Sequence, residues 1–266
     1  SKGKKVKAVI GVDYAGHPCD WRALREIADK YDLQLVNDNC HALGAAYLGD
    51  QQYAAKYADV VTQSYHPVKH ITTGEGGSVL TNDSAIDERV RRLRTHGMTK
   101  DTNQLERNDG PWYYEIHEIG FNYRITDFQC ALGSNQLKKL DYFVKKRRQV
   151  AKRYDNIFDN NNNLIIPSVK SEIKHSYHLY ALQINFDKLK TTKKNILNNF
   201  YKKGINLQVH YIPIYSQPYY KKKYGYKSKE YLNANSFYSQ EVSLPIYPFL
   251  KRKLQDKVIN LINNLK

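Results

Sequence analysis

Apolar positions in the first half of the chain fall into short continuous runs separated by stretches of helical period. Lys7–Tyr14 (KAVIGVDY) is nearly all apolar and reads as a strand buried on both faces, the kind found in parallel sheets. Ala15-Gly16-His17-Pro18 breaks it. Asp20 can then cap a helix running to Tyr31, with Trp21, Leu24, Ile27 and Ala28 on one face. Leu33–Val36, Ala58–Thr62 and Gly77–Thr81 are the next apolar runs. Strand, helix, strand in this order predicts an α/β fold with a mainly parallel sheet, which binds ligands at the carboxyl ends of its strands.

Asp83–His96 reads as a helix with Ile86, Val90 and Leu93 inward, and Gly97–Gly110 as a polar loop. From Thr126 the apolar residues Phe128, Leu132, Leu137, Leu140 and Phe143 predict one long helix to about Phe158. The asparagine-rich loop after it places the domain boundary between residues 1–158 and 159–266. The second domain reads as a small α+β lobe. It has an alternating strand at His178–Asn185, a helix at Thr191–Lys203 closed by Gly204, and a strand at Leu207–Pro213. A basic, Tyr-rich loop at Pro218–Lys229, a short strand at Val242–Leu244 and a final helix with Leu254, Val258 and Leu261 inward complete it.

Charge changes the picture of partners. Lys and Arg total 42 against 26 acids, a net +16, concentrated in Lys138–Arg153 and Lys221–Lys229. That balance favours anionic partners such as phosphorylated small molecules. No zinc-finger, RRM-type or basic-zipper pattern is present, so nucleic acid is not the expected partner. No apolar run approaches the roughly 18 residues of a membrane span. The 3 cysteines, Cys19, Cys40 and Cys130, form no C-x-x-C pair, which fits a reducing cytoplasm.

The candidate chemistry lies at the ends of the apolar runs: Asp38 and His41 after the second, and Ser64 and Lys69 after the third. A lysine is a covalent catalyst when its amine is partly unprotonated, and burial in VVTQSYHPVKHITTGEGGSVL would favour that state. Taken singly, each has a plain reading: a surface lysine, a helix-capping aspartate, a turn serine. Asp38, Cys40, His41, His66 and His70 have metal-ligand chemistry but no recognised metal spacing, so no metal is expected. As a set they match the needs of pyridoxal phosphate, namely an imine-forming lysine, an acid for the pyridine nitrogen and a phosphate donor.

At these residues, NDNCHALGA, SYHPVKHITTGEGG and GFNYRITDFQCALG resemble the DegT/DnrJ/StrS sugar-nucleotide aminotransferases, of pyridoxal-phosphate fold type I. VDYAG and QVHYIPI extend the resemblance over nearly the whole chain. It is strongest toward the transaminases of pseudaminic acid synthesis, which act on a UDP-linked 4-keto-6-deoxy sugar with glutamate as donor. GPWYYE and GFNYR carry much of that closer match.

The resemblance implies roles. Lys69 matches the Schiff-base lysine, Asp38 the aspartate on the pyridinium nitrogen, His41 a residue beside the ring, and Ser64 a phosphate ligand. Asn122 matches an asparagine reaching into the neighbouring subunit's site, with Arg124 in the same motif. Gln208, Val209, His210 and Tyr211 match a segment lining the sugar-nucleotide site. It also implies a homodimer with shared sites. Family members carry a further segment before the VDYAG strand, including a helix N-terminus that holds the cofactor phosphate. An N-terminally truncated domain is therefore expected, either a fragment or one half of a split gene whose second polypeptide completes the fold.

Overall fold

The computed structural model describes residues 5–265. The chain divides into two compact units. One holds the residues up to Tyr14 together with Pro18–Leu140, and the other holds Ala15–His17 and Asp141–Lys266.

The first unit is built on a four-stranded sheet: β1 (Ala8–Val12), β2 (Gln34–Asp38), β3 (Val60–Ser64) and β4 (Gly77–Leu80), in that spatial order. β1, β2 and β3 are parallel, and β4 turns back antiparallel to β3. Helix α1 (Trp21–Tyr31) forms as the pattern predicts. The Asp20 side chain accepts from the Ala23 N–H, and Trp21 and Ala28 are fully buried. Helix α2 (Tyr53–Tyr57) leads into β3 and buries Tyr53. Helix α3 (Ser84–Leu93) is capped by Asp83, whose carboxylate accepts from the Ala85 and Ile86 amides.

Register separates the two faces of the sheet. Ile10, Val36 and Val60 align across the three parallel strands, as do Val12, Asp38 and Thr62, and Val79 on β4 pairs with Thr62. On that face Ile10, Val12 and Val79 are substantially exposed, while on the other Leu35 and Val61 are buried. Asp38 thus stands at the carboxyl end of an open apolar face.

The expected long helix is two helices, α4 (Asp127–Leu137) and α5 (Leu140–Phe158). α4 starts in a capping box between Thr126 and Gln129 and belongs to the first unit. α5 buries Phe143, Val144, Arg147, Val150, Ala151, Tyr154 and Phe158, and the last four of these belong to the core of the second unit. The division falls at Leu140/Asp141, at the start of that helix, whereas 158/159 lies at its far end.

In the second unit an antiparallel sheet runs β7–β6–β5, with β5 at Leu164–Ile165, β6 at Tyr180–Ile184 and β7 at Glu241–Leu244. β6 does not alternate as expected. It is the central strand, and Tyr180, Ala181, Leu182 and Ile184 are all buried. Around it pack α6 (Lys193–Lys202), capped by Thr192, and α8 (Arg252–Asn263), through Ile196, Phe200, Val258, Ile259 and Ile262. The strand expected at Leu207–Pro213 reduces to one bridge, Gln208 to Ser243. The loop expected at Pro218–Lys229 contains helix α7 (Pro218–Tyr224), with proline in its first turn and Gly225 as a left-handed cap. Both are ordinary helix boundary signals.

Arg147 is buried and faces no acid among the described residues. Its Nη1 donates to the carbonyls of Tyr177, His178 and Ile246 at 3.2, 3.2 and 2.9 Å. Burial pulls its pKa down to about 10.

Candidate active site

A buried polar layer fixes the strand ends. Asp13, just past β1, is completely buried, and its carboxylate accepts four hydrogen bonds. They come from the Cys19 amide (2.8 Å), Trp21 Nε1 (2.9 Å), Asn39 Nδ2 (2.7 Å) and the Tyr53 hydroxyl (2.7 Å). Burial raises the Asp13 pKa, and the Cys19 amide, Tyr53 and Asn39 oppose the rise. Asn39 Oδ1 accepts in turn from Gln63 Nε2. The Asp13 amide donates to the Asp38 carbonyl and the Asn39 amide to the Thr62 carbonyl, both at 3.1 Å. Three strands therefore end in register, with their polar residues locked. Asp13, Asn39, Gln63 and Tyr53 were not singled out in the sequence. The signal for Asp13 is a charged residue inside a run that is otherwise nearly all apolar.

On this platform the chain leaves β3 through Ser64 and makes the loop that carries Lys69. Tyr65 closes it. Its amide donates to the Gly76 carbonyl (2.8 Å), its carbonyl accepts from the Thr73 amide (3.0 Å), and its hydroxyl lies 2.7 Å from Ser78 Oγ. His70, Ile71 and Thr73 are buried and anchor the returning arm. The Lys69 amide closes a tight turn on the His66 carbonyl at 2.9 Å. The side chain of Lys69 is half-buried, and burial lowers its pKa while Cys40 and Asp38 act in the opposite sense. The Cys40 amide donates to Asp38 Oδ1 at 3.1 Å. Burial, with help from Asp38, pushes the Cys40 thiol up to about 11, and Lys69 pulls it down. Lys69, Asp38 and Cys40 thus share one electrostatic neighbourhood. His41 is buried, its ring 6.2 Å from that of Tyr14.

These residues fit pyridoxal phosphate. An amine whose charged form is disfavoured by burial stands in the field of a carboxylate, at the strand ends where α/β sheets take ligands. Two cavities, of about 490 and 330 Å³, lie elsewhere: one against Asp155 and Tyr177, the other against Lys100 and Tyr113.

Asn122 and Arg124 sit on an extended segment laid across the end of α3. The Phe121 amide donates to the Leu93 carbonyl (2.7 Å), the His96 amide to the Phe121 carbonyl (2.8 Å) and the Tyr123 amide to the Arg94 carbonyl (2.9 Å). Two glycines permit the crossing: a Cβ on Gly97 would lie 1.7 Å from the Glu118 carbonyl oxygen, and one on Gly120 2.2 Å from the Gly97 nitrogen. Asn122 and Arg124 are exposed, amid exposed Ile119, Phe121, Tyr123 and Phe128. Before them, the Glu115 carboxylate gathers the loop. It accepts from the Glu106 amide (3.0 Å), the Arg107 amide (3.3 Å) and the Tyr113 hydroxyl (2.9 Å), and lies 2.8 Å from His117 Nε2.

Gln208, Val209, His210 and Tyr211 belong to the second unit. Gln208 and Tyr211 are exposed, and Val209 and His210 are half-buried.

Residues 3–263 match the DegT/DnrJ/EryC1/StrS aminotransferase family. An uncharacterized protein of Methanocaldococcus jannaschii is 41% identical over 99% of this chain and 67% of its own length. The UDP-4-amino-4,6-dideoxy-N-acetyl-beta-L-altrosamine transaminase of Campylobacter jejuni is 34% identical over 100% of this chain and 68% of its own. Among solved structures, Helicobacter pylori PseC, an aminotransferase involved in the biosynthesis of pseudaminic acid, superposes with a TM-score of 0.87 at 33% identity. That match covers 97% of this chain and 66% of the other. The chain spans about two thirds of the length of these relatives. The fold is that of the fold type I aminotransferases. No helix among the described residues is long and apolar enough to cross a membrane.

Proposed function

The chain belongs to the DegT/DnrJ/EryC1/StrS aminotransferase family, and from that premise we propose that it transfers an amino group from glutamate to a nucleotide-linked 4-keto-6-deoxy sugar, using pyridoxal phosphate, on the way to a surface-glycan amino sugar such as pseudaminic acid. The observation that carries this reading is the half-buried amine of Lys69 in the field of Asp38 at the ends of three parallel strands. Pyridoxal phosphate, when bound, supplies an electron sink for the carbon that loses its proton.

In this reading Lys69 holds the cofactor covalently through its amine and, once released, carries the proton to and from the amino carbon. Asp38 keeps the ring nitrogen protonated, and His41 lies beside the ring. Ser64 donates to the phosphate. Asn122, exposed on its crossing segment, reaches the site of a second copy, with Arg124 beside it. The exposed apolar side chains around them support a homodimer with shared sites. Gln208, Val209, His210 and Tyr211 line the sugar-nucleotide site, and the net positive charge draws in the diphosphate. The setting is the cytoplasm.

Borohydride treatment of the cofactor-loaded protein, followed by peptide mass analysis, is expected to find a pyridoxyl group on Lys69. A pyridoxyl group on a different lysine would overturn the assignment. A second reading, that the chain works only with a complementing N-terminal segment, draws on the exposed face of Ile10, Val12 and Val79. Visible absorption of bound cofactor with the 266-residue chain alone would rule against it.

A further inference from the structure

The stretch from Ile214 to Leu232 holds 5 lysines and 6 tyrosines against a single acid, Glu230. The tyrosines form a continuous chain of rings. Tyr219 meets Tyr220 edge-on at 5.2 Å, Tyr220 stacks on Tyr224 at 6.2 Å, and Tyr224 leans on Tyr226 at 5.6 Å. Tyr226 meets Tyr231 edge-on at 6.2 Å, and Tyr231 stacks on Tyr215 at 4.2 Å. Lys223 is drawn into the chain. Its Nζ donates to the Tyr219 hydroxyl at 2.9 Å and lies 5.2 and 5.5 Å from the centroids of the Tyr219 and Tyr224 rings. All of the lysines are exposed, and Ile214, Tyr219, Tyr224 and Leu232 are half exposed or more.

Helical spacing puts Tyr219, Tyr220, Lys223 and Tyr224 on one side of α7, with Lys221 and Lys222 flanking them. A run of lysines alone would be a solvated face. Here aromatic and aliphatic side chains are exposed within the same positive field, and that combination narrows the partner. The charge selects an anionic one and sets two copies of the stretch against each other. A nucleic-acid base would need free ring faces to stack on. These rings are engaged with one another and with Lys223, so a base would have to break those contacts. Tyrosine and lysine share a shape, an apolar body with a polar tip, that suits the boundary between lipid headgroups and acyl chains.

We propose that the Ile214–Leu232 stretch docks on an anionic lipid bilayer, its exposed tyrosines and aliphatic side chains entering the headgroup boundary and its lysines pairing with lipid phosphates. Apolar contact and basic charge act together in such surface binding, and neither requires a membrane-spanning helix. The inference stands apart from the transamination reading, since neither Lys69 nor Gln208–Tyr211 takes part in it.

The test is flotation of the full chain with vesicles of phosphatidylcholine, alone or mixed in equal parts with phosphatidylglycerol. The protein is expected to rise with the anionic vesicles, to stay behind with the neutral ones, and to be released as salt is raised. Lys221→Ala, Lys222→Ala and Lys223→Ala together are expected to lower the partition coefficient about a hundredfold, roughly fivefold for each lysine brought to an anionic surface. Removing the same charge at exposed Lys139, Lys145 and Lys152 is expected to leave most of the binding. Unchanged circular dichroism checks that each variant is folded. A Tyr224→Trp reporter in a Trp112→Phe background is expected to shift its emission to the blue with anionic vesicles only. No rise with anionic vesicles, an equal rise with neutral ones, an equal loss in the two triple variants, or a reporter that stays unshifted while the protein floats overturns the proposal. So does a single-stranded oligothymidine that displaces the vesicles and needs Lys221–Lys223 to bind, which is the outcome for a nucleic-acid surface.

Discussion

The Tyr53 hydroxyl donates to the Asp13 carboxylate at 2.7 Å, joining residues 40 positions apart at the root of the Lys69 platform. Asn39 touches both, at 2.7 and 2.8 Å. The strand ends are therefore positioned by a buried acceptor that four donors surround.

Asp13→Asn makes this concrete. An amide keeps the volume but turns an NH₂ toward groups that are themselves donors. The expected loss is about 1–3 kcal/mol, the cost of a buried donor left without an acceptor. It is read as a lower denaturant midpoint at unchanged slope.

Lys69→Ala is expected to lower transamination by on the order of 10²–10⁴, the usual weight of a positioned acid–base group, and to abolish covalent retention of the cofactor. In the cofactor-free protein, capture of pyridoxal phosphate requires the neutral amine. Burial lowers the Lys69 pKa, so the capture rate should rise with pH and level off below the 10.5 of an ordinary lysine. Asp38 raises that pKa, so Asp38→Asn should move the plateau to lower pH. A plateau that moves upward would contradict the placement of Asp38 beside the amine.

Glu115 gives a pH prediction for the loop preceding Asn122. Its pKa is held down to about 2, chiefly by His117 and then by the Glu106 amide. A carboxylate depressed in the fold contributes stability above its unfolded pKa and loses it as pH falls through the folded value. Exchange of the Glu106 and Arg107 amides should therefore stay slow down to about pH 4.5 and quicken between there and about 2. In Glu115→Gln it should be fast throughout.

Gly120→Ala places a methyl group where no atom fits, 2.2 Å from the Gly97 nitrogen. The neighbour is backbone and cannot rotate away. A destabilisation of about 1–3 kcal/mol or more is expected, with shifted amide resonances at Phe121 and Tyr123 as the local sign.

Arg147→Lys retains a charge but replaces the planar guanidinium, whose Nη1 donates to the carbonyls of Tyr177, His178 and Ile246, with an ammonium on a flexible stem. Loss of fixed donor geometry should cost about 1–3 kcal/mol in thermal or chemical unfolding.

Much of the site was legible because it sits on local patterns. Apolar runs ended where Asp38 and Ser64 stand, and the turn around Lys69 lies between two such runs. The helix at Pro218–Tyr224 was missed: proline at its start and glycine at its end mark it, but the run of lysines and tyrosines reads as loop. The break between α4 and α5 was not legible either, because apolar spacing continues across Lys138 and Lys139 while α4 buries no side chain and α5 packs into the core of the second unit. The Leu207–Pro213 run had strand composition, yet only Gln208 found a ladder partner, because the Glu241 side chain takes the next amide.

The sequence by itself determined the order of strands and helices, the family, and which lysine, aspartate and serine come to the strand ends. These follow from periodicity and from short motifs, which are contiguous in the chain. Only the tertiary structure decided that Asp13 is buried among four donors, that one face of the sheet carries exposed apolar side chains, and that the Glu241 side chain takes the His210 amide. Each of those depends on which residues distant in sequence meet, and on the balance between the burial of a polar group and the partners waiting for it. No local pattern encodes that balance.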